Sequence, residues 1–366
     1  VDCPSSIPEL VSIESYGGNP DIVATREEIE RVAFEIKLCA ETLTAWNPLE
    51  TLWSDPLHQI QFRVMSLSIH QKLERLYSHC QIAAEGYFTT EAQIHRRFET
   101  TLIPALAQFT TNIGASLGWK LDSTVSAELS LESQARKPNS ISAMLDRLWK
   151  LSAKNEPTIG IDMFENSSGN KTAIVYVPGT QTVELGEGTN PLDMASNIQA
   201  MAGLGEAASE KAVLLAMRQA GINSNDEVIL VGHSQGGMVA GNIASHPVGF
   251  IAAGLVTFGA PLAHIKNLKA PVMAIEHVND PVPNLSGKAN PLSKNWVTIQ
   301  RISEKPESNA LMFSHSLKSY KITTSAIDVS GDVGIKNIRG EIFQSLDGGK
   351  PSKSMEFVIS RAVPRP

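Results

Sequence analysis

The fold is decided by the stretch Val228-Ile229-Leu230-Val231-Gly232-His233-Ser234-Gln235-Gly236-Gly237, in the second half of this 366-residue chain. Residues 228–231 are continuously apolar, as is typical of a strand that is covered on both faces. Residues 237–245 follow with several small side chains and favour a helix that packs closely against a sheet. A buried strand that turns directly into a helix predicts a mainly parallel sheet with helices on its faces.

The turn between this strand and this helix fits the pattern Gly-x-Ser-x-Gly at residues 232–236. The pattern is short, but the strand before it and the small-residue helix after it are the setting that a nucleophilic serine on such a turn requires. Ser234 is therefore the predicted nucleophile, and the N-terminus of the following helix favours developing negative charge. The alternative is a glycine-rich turn with an idle serine. We interpret His233 as a packing residue.

Strand-like and helical runs alternate from about residue 157 onward. The turn-rich link at residues 165–171 is typical of an antiparallel hairpin, which we expect at the edge of the sheet. The alternation predicts an α/β fold with a doubly wound, mainly parallel sheet. The further strands are predicted over residues 158–164, 172–177, 253–258, 272–277 and 296–302, with helices over 193–202 and 206–220.

The first part of the chain has a different, helical period. Apolar residues recur at helical spacing from Ile29, from Leu57 and from Ile94, and a last helix is predicted over residues 140–151. We therefore expect two domains, a helical hairpin or bundle at residues 1–153 and an α/β domain at residues 154–366. The helical domain is a candidate for self-association or for binding a protein partner, although ordinary core packing also explains its amphipathic faces.

Composition excludes several classes of partner. The net charge of -7 argues against nucleic acid, because proteins that bind it usually present a basic face. The sequence contains no run of 18 or more apolar residues, so it predicts no transmembrane helix. The sequence shows no signal peptide, so the cytoplasm is the default location, with export by a non-classical route left open. Three scattered cysteines fit neither a disulfide framework nor a zinc site, and we expect no metal or organic cofactor.

A nucleophilic serine needs a base, and His315 is the best candidate for it. On a turn of this kind the acid and then the histidine follow the serine in the chain. The histidines after Ser234 are His246, His264, His277 and His315. The first of these ends the helix after the serine, and His277 lies within a predicted strand. Only the last follows a well-placed acid, although an ordinary surface histidine remains the alternative.

The acid that should orient the base is Asp280. It comes directly after the predicted strand 272–277, and functional residues of such sheets lie at the carboxyl ends of strands. Glu276 would point from inside that strand, whereas Glu304 and Glu307 lie in a polar loop. A turn-capping aspartate before proline is the alternative interpretation of Asp280.

Acyl chemistry also needs hydrogen-bond donors for the oxyanion. The backbone N–H of Gln235, directly after the nucleophile, is the first expected donor. The second should come from the loop after an earlier strand, and Thr180 is the preferred residue there. Gly179 and Gln181 remain possible donors, and an ordinary Pro-Gly turn remains the simplest alternative.

Several of these segments resemble those of class 3 lipases and, more closely, a group of poorly characterised bacterial α/β-hydrolases with a helical region ahead of the hydrolase domain. The resemblance covers about residues 140–320. It implies an α/β-hydrolase fold, ester hydrolysis, and Ser234, Asp280 and His315 as a catalytic triad. The segments are Val177-Pro178-Gly179-Thr180-Gln181, Asn190-Pro191-Leu192-Asp193, Gly232-His233-Ser234-Gln235-Gly236-Gly237-Met238, Thr257-Phe258-Gly259-Ala260-Pro261, Asn279-Asp280-Pro281-Val282-Pro283 and Ser314-His315.

One segment departs from the lipase pattern. Class 3 lipases usually continue Gly259-Ala260-Pro261 with a basic residue and another glycine, whereas Leu262-Ala263-His264 follows here. This difference argues against a true triacylglycerol lipase. We therefore predict an esterase or lipase-like serine hydrolase acting on a small-molecule or lipid ester. The alternatives are a thioesterase or acyltransferase, and a non-catalytic binding or delivery protein with a hydrolase-like domain.

Overall fold

The chain divides into two compact units, residues 23–95 and residues 1–22 with 96–366. In the first unit the described residues are helical, and the predicted helices that begin near Ile29, Leu57 and Ile94 lie largely outside the described residues. The structure is a computed structural model that describes residues 13–18, 34, 36–38, 41, 69–71, 124–165, 169, 171–182, 188–193, 196–197, 200, 207–286, 289–303 and 313–361.

The second unit is a mixed α/β structure around one nine-stranded sheet, with the strand order β1-β8-β7-β6-β5-β4-β3-β9-β2. The five strands from β4 to β8 are mutually parallel, and the strands outside them pair antiparallel. The predicted α/β class is confirmed at this level. The strands are β1 Glu14–Gly17, β2 Val125–Gln134, β3 Thr158–Glu165, β4 Lys171–Val177, β5 Glu227–His233, β6 Ile251–Phe258, β7 Val272–His277, β8 Trp296–Arg301 and β9 Lys350–Arg361.

Helices cover both faces of the sheet. In β5, Val228 and Leu230 face the core under α2 and α3, whereas Ile229 and Val231 face the core under α1, α4 and α5. All four side chains are fully buried, which explains the continuous apolar run of this strand. The helices are α1 Ile141–Ser152, α2 Ala208–Gln219, α3 Gln235–Ser245, α4 Leu317–Val329 and α5 Val333–Gln344.

The strands β3 and β4 form the expected antiparallel hairpin, with Gly160 opposite Tyr176. The expectation that this hairpin lies at the sheet edge is wrong, because β9 and β2 pair in turn outside β3. Neither of these strands has the apolar run of a central strand. β9 begins with Lys350 and Pro351, and β2 leaves Leu129 about half exposed.

The sheet also includes residues from the predicted helical domain at residues 1–153. Residues 125–134 form strand β2 rather than part of a helical region, and the last predicted helix, α1, packs on the sheet through Leu145 and Leu148. Ser140 caps α1, since its Oγ accepts the Ala143 N–H at 3.1 Å. Both elements precede residue 154, so the unit that contains the sheet begins before the predicted domain boundary.

Candidate active site

Ser234 lies on a sharp turn between the end of β5 and the start of α3. Its backbone has φ 54° and ψ -125°, a conformation that residues with a side chain rarely adopt and that costs about 1–3 kcal/mol. The Ser234 N–H donates to the Phe258 carbonyl at 3.0 Å, which ties the turn to the neighbouring strand. The serine is thus held at the carboxyl end of the parallel strands.

The glycines of the pattern are required by close backbone contacts. A Cβ at Gly236 would lie 2.1 Å from the Val177 carbonyl oxygen, and a Cβ at Gly232 would lie 2.3 Å from the Gly236 oxygen. A Cβ at Gly237 would lie 2.5 Å from the Ala260 Cβ. The turn can therefore close against β4 and β6 only where these positions carry no side chain.

The structure brings Ser234, His315 and Asp280 together. His315 Nε2 lies 2.9 Å from the Ser234 Oγ, and His315 Nδ1 lies 2.8 Å from Asp280 Oδ2. The Asp280 side chain is fully buried, whereas the His315 side chain is 13% exposed. Because a carboxylate only accepts, the proton between these two belongs to Nδ1, and Nε2 is left to accept the serine hydroxyl.

The Asp280 carboxylate is fixed by two further donors. The Tyr320 hydroxyl donates to Oδ2 at 2.8 Å, and the Val282 N–H donates to Oδ1 at 3.0 Å. Burial, reinforced by the charge of Asp280, raises the pKa of Tyr320 well above its usual value, so the phenol keeps its proton. The sequence offered no signal for Tyr320, because it follows no motif.

Two histidines hold the backbone that carries His315. His233 Nε2 lies 2.8 Å from the His315 carbonyl oxygen, and His277 Nδ1 lies 2.7 Å from the Ser314 carbonyl oxygen. Desolvation, with the neighbouring His315 as a smaller cause, lowers the pKa of His233 to about 4. The packing role inferred for His233 is therefore incomplete, because its ring also makes a hydrogen bond to the turn beside it.

Gly259 fills a position where a side chain would strike the site. It has φ 59°, and a Cβ there would lie 2.8 Å from Asp280 Oδ2, 2.8 Å from the Tyr320 hydroxyl and 3.1 Å from His315 Nδ1. The close approach of three polar groups around this backbone explains the glycine that follows β6.

The candidate oxyanion donors differ in how their N–H groups are used. Gln235 is the first residue of α3, so its N–H has no acceptor within the helix. The Gln181 N–H donates to the Leu192 carbonyl at 2.9 Å and is engaged. Gly179 packs beside the nucleophile, where a Cβ would lie 3.1 Å from the Ser234 Cβ. Thr180 comes next in the chain, so this loop adjoins the serine as the oxyanion prediction requires.

The loop with Thr180 is fastened to the rest of the molecule through Asp193. Arg361, at the end of β9, donates to both Asp193 carboxylate oxygens at 2.8 and 3.2 Å. The Gln235 side-chain amide donates to the Asp193 carbonyl at 3.1 Å. Asp193 also forms a parallel bridge with Thr182. The loop is thus tied to the start of α3 and to a distant strand, a connection that sequence reasoning missed.

A groove of about 330 Å³ adjoins the site. Its walls include Trp149 at the end of α1, Thr180, His233, and Leu317 with Lys318 at the start of α4. Ser234 does not line the groove, so the groove lies beside this serine without enclosing it.

Glu276 and His246, two other groups considered for the triad, make hydrogen bonds to residues other than Ser234. Glu276 is buried in β7, where its carboxylate accepts from the Asn290 amide at 2.6 Å. Burial raises the pKa of Glu276 to about 7. His246 hydrogen-bonds the Ser245 hydroxyl at the end of α3. Glu304 and Glu307 lie outside the described residues.

No protein-family model and no curated protein matches the chain. A crystal structure of the lin2722 gene product of Listeria innocua is similar to this chain over 54% of this chain and 93% of its own, with 16% sequence identity and a TM-score of 0.27. Within the described residues no helix is long and apolar enough to cross a membrane, and no three metal-ligating side chains cluster.

Proposed function

We propose that this chain is a serine hydrolase of the α/β-hydrolase fold that cleaves carboxylic esters through an acyl-enzyme. One observation carries the proposal. Ser234 lies at a positive φ between a strand and a helix, and its Oγ is 2.9 Å from His315 Nε2. The other ring nitrogen of His315, Nδ1, is 2.8 Å from Asp280 Oδ2. The parallel strands on either side of β5 support the fold assignment.

Acylation follows from this arrangement. His315 Nε2 takes the proton of the Ser234 hydroxyl as Oγ attacks the ester carbonyl carbon. The carbonyl oxygen gains negative charge, which the N–H groups of Gln235 and Thr180 stabilise. Asp280 stabilises the imidazolium that forms. The tetrahedral species then expels the alcohol, which receives its proton from His315 Nε2, and the acyl group stays on Ser234.

Deacylation repeats the same steps with water. His315 Nε2 takes a proton from a water molecule, whose oxygen attacks the acyl carbon. The bond between Ser234 Oγ and the acyl carbon breaks, and the serine recovers its proton from the imidazolium. The products are a carboxylic acid and the regenerated hydroxyl.

The substrate is proposed only as a class, a small-molecule or lipid ester. The unit of residues 23–95 lies within the chain of the sheet-containing unit rather than ahead of it, and we propose self-association or partner binding as its role. Matched series of esters and thioesters, compared by kcat/KM, separate an esterase from a thioesterase.

A fluorophosphonate probe tests the proposal directly. The native protein should be labelled at Ser234 and should hydrolyse short p-nitrophenyl esters. We expect Ser234→Ala to abolish labelling and to reduce hydrolysis by about 10³-fold or more. Ser245→Ala, a serine whose hydroxyl bonds within the end of α3, is the matched control and should behave as native. A folded native protein that is neither labelled nor active would instead be a binding or delivery protein.

A further inference from the structure

The turn that carries His315 rests on three adjacent strand ends. β5 ends at His233 and β7 ends at His277. β6 lies between them and ends at Phe258, directly before Gly259. All three strand ends lie against this turn or against Asp280. His315 is therefore supported by the sheet although it belongs to no strand.

The two histidines bind consecutive carbonyl groups. His233 Nε2 lies 2.8 Å from the His315 carbonyl oxygen, and His277 Nδ1 lies 2.7 Å from the Ser314 carbonyl oxygen. Ser314 is buried, with 1% of its surface exposed. A buried carbonyl without a donor is an unsatisfied acceptor, so the hydrogen bond from His277 stabilises this turn.

The acceptors determine which ring nitrogens carry protons. A carbonyl can only accept, so the proton lies on Nε2 of His233 and on Nδ1 of His277. His277 Nε2 then accepts from the Thr323 hydroxyl at 2.8 Å. Burial lowers the pKa of both histidines, which favours these neutral forms near neutral pH.

The same rings also pack against the residues that orient the triad. The His277 ring stacks on Tyr320 with 4.0 Å between centroids and 4° between planes. The Tyr320 hydroxyl accepts a hydrogen bond from the backbone N–H of His277 at 3.2 Å and donates one to the Asp280 carboxylate. The His233 and His315 rings lie 4.8 Å apart. The two histidines therefore contact the backbone of residues 314–315 directly, and His277 also contacts Tyr320, which donates to Asp280.

We propose that His233 and His277 are positioning residues, which hold the backbone of residues 314–315 so that His315 Nε2 stays in reach of Ser234. We call this pair the histidine clamp. The inference rests on the proposed function. A misplacement of about 1 Å in a catalytic group can cost about 100-fold in rate, so loss of either contact should appear in kcat.

Four substitutions test the histidine clamp, because glutamine places a donor near Nε2 of histidine and asparagine places one near Nδ1. His233→Gln and His277→Asn keep the required donor, and their kcat should stay within about three-fold of native. His233→Asn and His277→Gln lose it, and we expect kcat to fall about 10- to 100-fold with KM within about two-fold. His246→Leu is the control, since His246 is exposed and bonds only its neighbour, and it should match native.

A merely structural role gives a different pattern. It would lower thermal stability in all four variants while kcat per folded molecule stays native, and that result overturns the clamp. A proton NMR readout separates the two proposals. The His315 Nδ1 proton should give a low-field resonance in the native protein that shifts or broadens in His233→Asn and His277→Gln. An unchanged resonance in these two variants overturns the histidine clamp. If the resonance changes but the native protein hydrolyses no ester, the histidine clamp is supported and only the proposed hydrolase function is contradicted.

Discussion

At the scale of single residues, the site depends on positions where a side chain has no room. Ser234 is forced to a positive φ because the strand and helix on either side of it approach closely at Gly232 and Gly236. The sharp turn that carries Ser234 could be predicted because these glycines and the apolar strand are adjacent in sequence. Tyr320 and the histidine clamp could not, because their contacts form through space between separate elements.

Gly259→Ala should abolish the proposed hydrolase activity while leaving most of the fold intact. The added Cβ would enter the space shared by Asp280 Oδ2, the Tyr320 hydroxyl and His315 Nδ1 at a φ that disfavours alanine. We expect kcat to fall about 100-fold or more because the base is displaced. Gly340→Ala on α5, where no heavy atom lies within 4 Å of the new Cβ, is the control. Native kcat in Gly259→Ala would contradict this account of the site.

At the scale of elements, the central strands were predictable and the outer ones were not. The strand at residues 272–277 was predicted with its observed bounds because parallel strands buried on both faces are almost purely apolar. β2 has an alternating pattern, but Leu129 and Leu131 lie on exposed positions, so no buried face marks it. β9 acquires its place only by pairing with β2 and β3 at once.

The end of β9 should control the position of residues 178–182, which we call the oxyanion loop because they include the proposed donor Thr180, through the contact between Arg361 and Asp193. Removing this side chain leaves Asp193 buried and without its bidentate partner, which typically costs about 3–5 kcal/mol. We expect Arg361→Ala to lose about that much unfolding free energy and to lower kcat about 10-fold or more, since Asp193, which pairs with Thr182, then loses one of its anchors. Arg361→Lys should have intermediate stability and kcat, because lysine keeps the charge but lacks the planar guanidinium that donates to both carboxylate oxygens.

Denaturant unfolding and ester hydrolysis at a temperature where all variants are folded check this prediction. Arg218→Ala, an exposed arginine at the end of α2, is the matched control. Equal kcat for Arg361→Ala and the native protein would show that the oxyanion loop keeps its position without the salt bridge.

At the scale of the whole molecule, buried titratable groups shape the dependence of stability on pH. The pKa of Glu276 rises from 4.5 to about 7 through burial, opposed by hydrogen bonds from Asn290 and Gln300 and reinforced by Asp280. The folded state then binds more protons than the unfolded chain between these values. Glu276 therefore makes unfolding free energy decrease as pH rises from about 4.5 to 7.

Glu276→Gln should remove this part of the pH dependence. The amide cannot ionise, so the variant should lose less unfolding free energy than the native protein between about pH 4.5 and 7. Urea unfolding at several pH values measures the two slopes. Glu341→Gln, exposed on α5, should keep the native slope. Parallel slopes for Glu276→Gln and the native protein would mean that Glu276 is ionised throughout.

The position of β9 between β3 and β2 has a consequence for how the protein comes into being. A ribosome makes residues 125–134 and 158–165 long before residues 350–361, yet the two early strands meet only through the late one. Ser234, Asp280 and His315 have all been translated by residue 315, whereas Arg361 has not. A nascent chain therefore carries all three residues of the proposed triad before the salt bridge between Arg361 and Asp193 can form, because that interaction requires residue 361 to be translated.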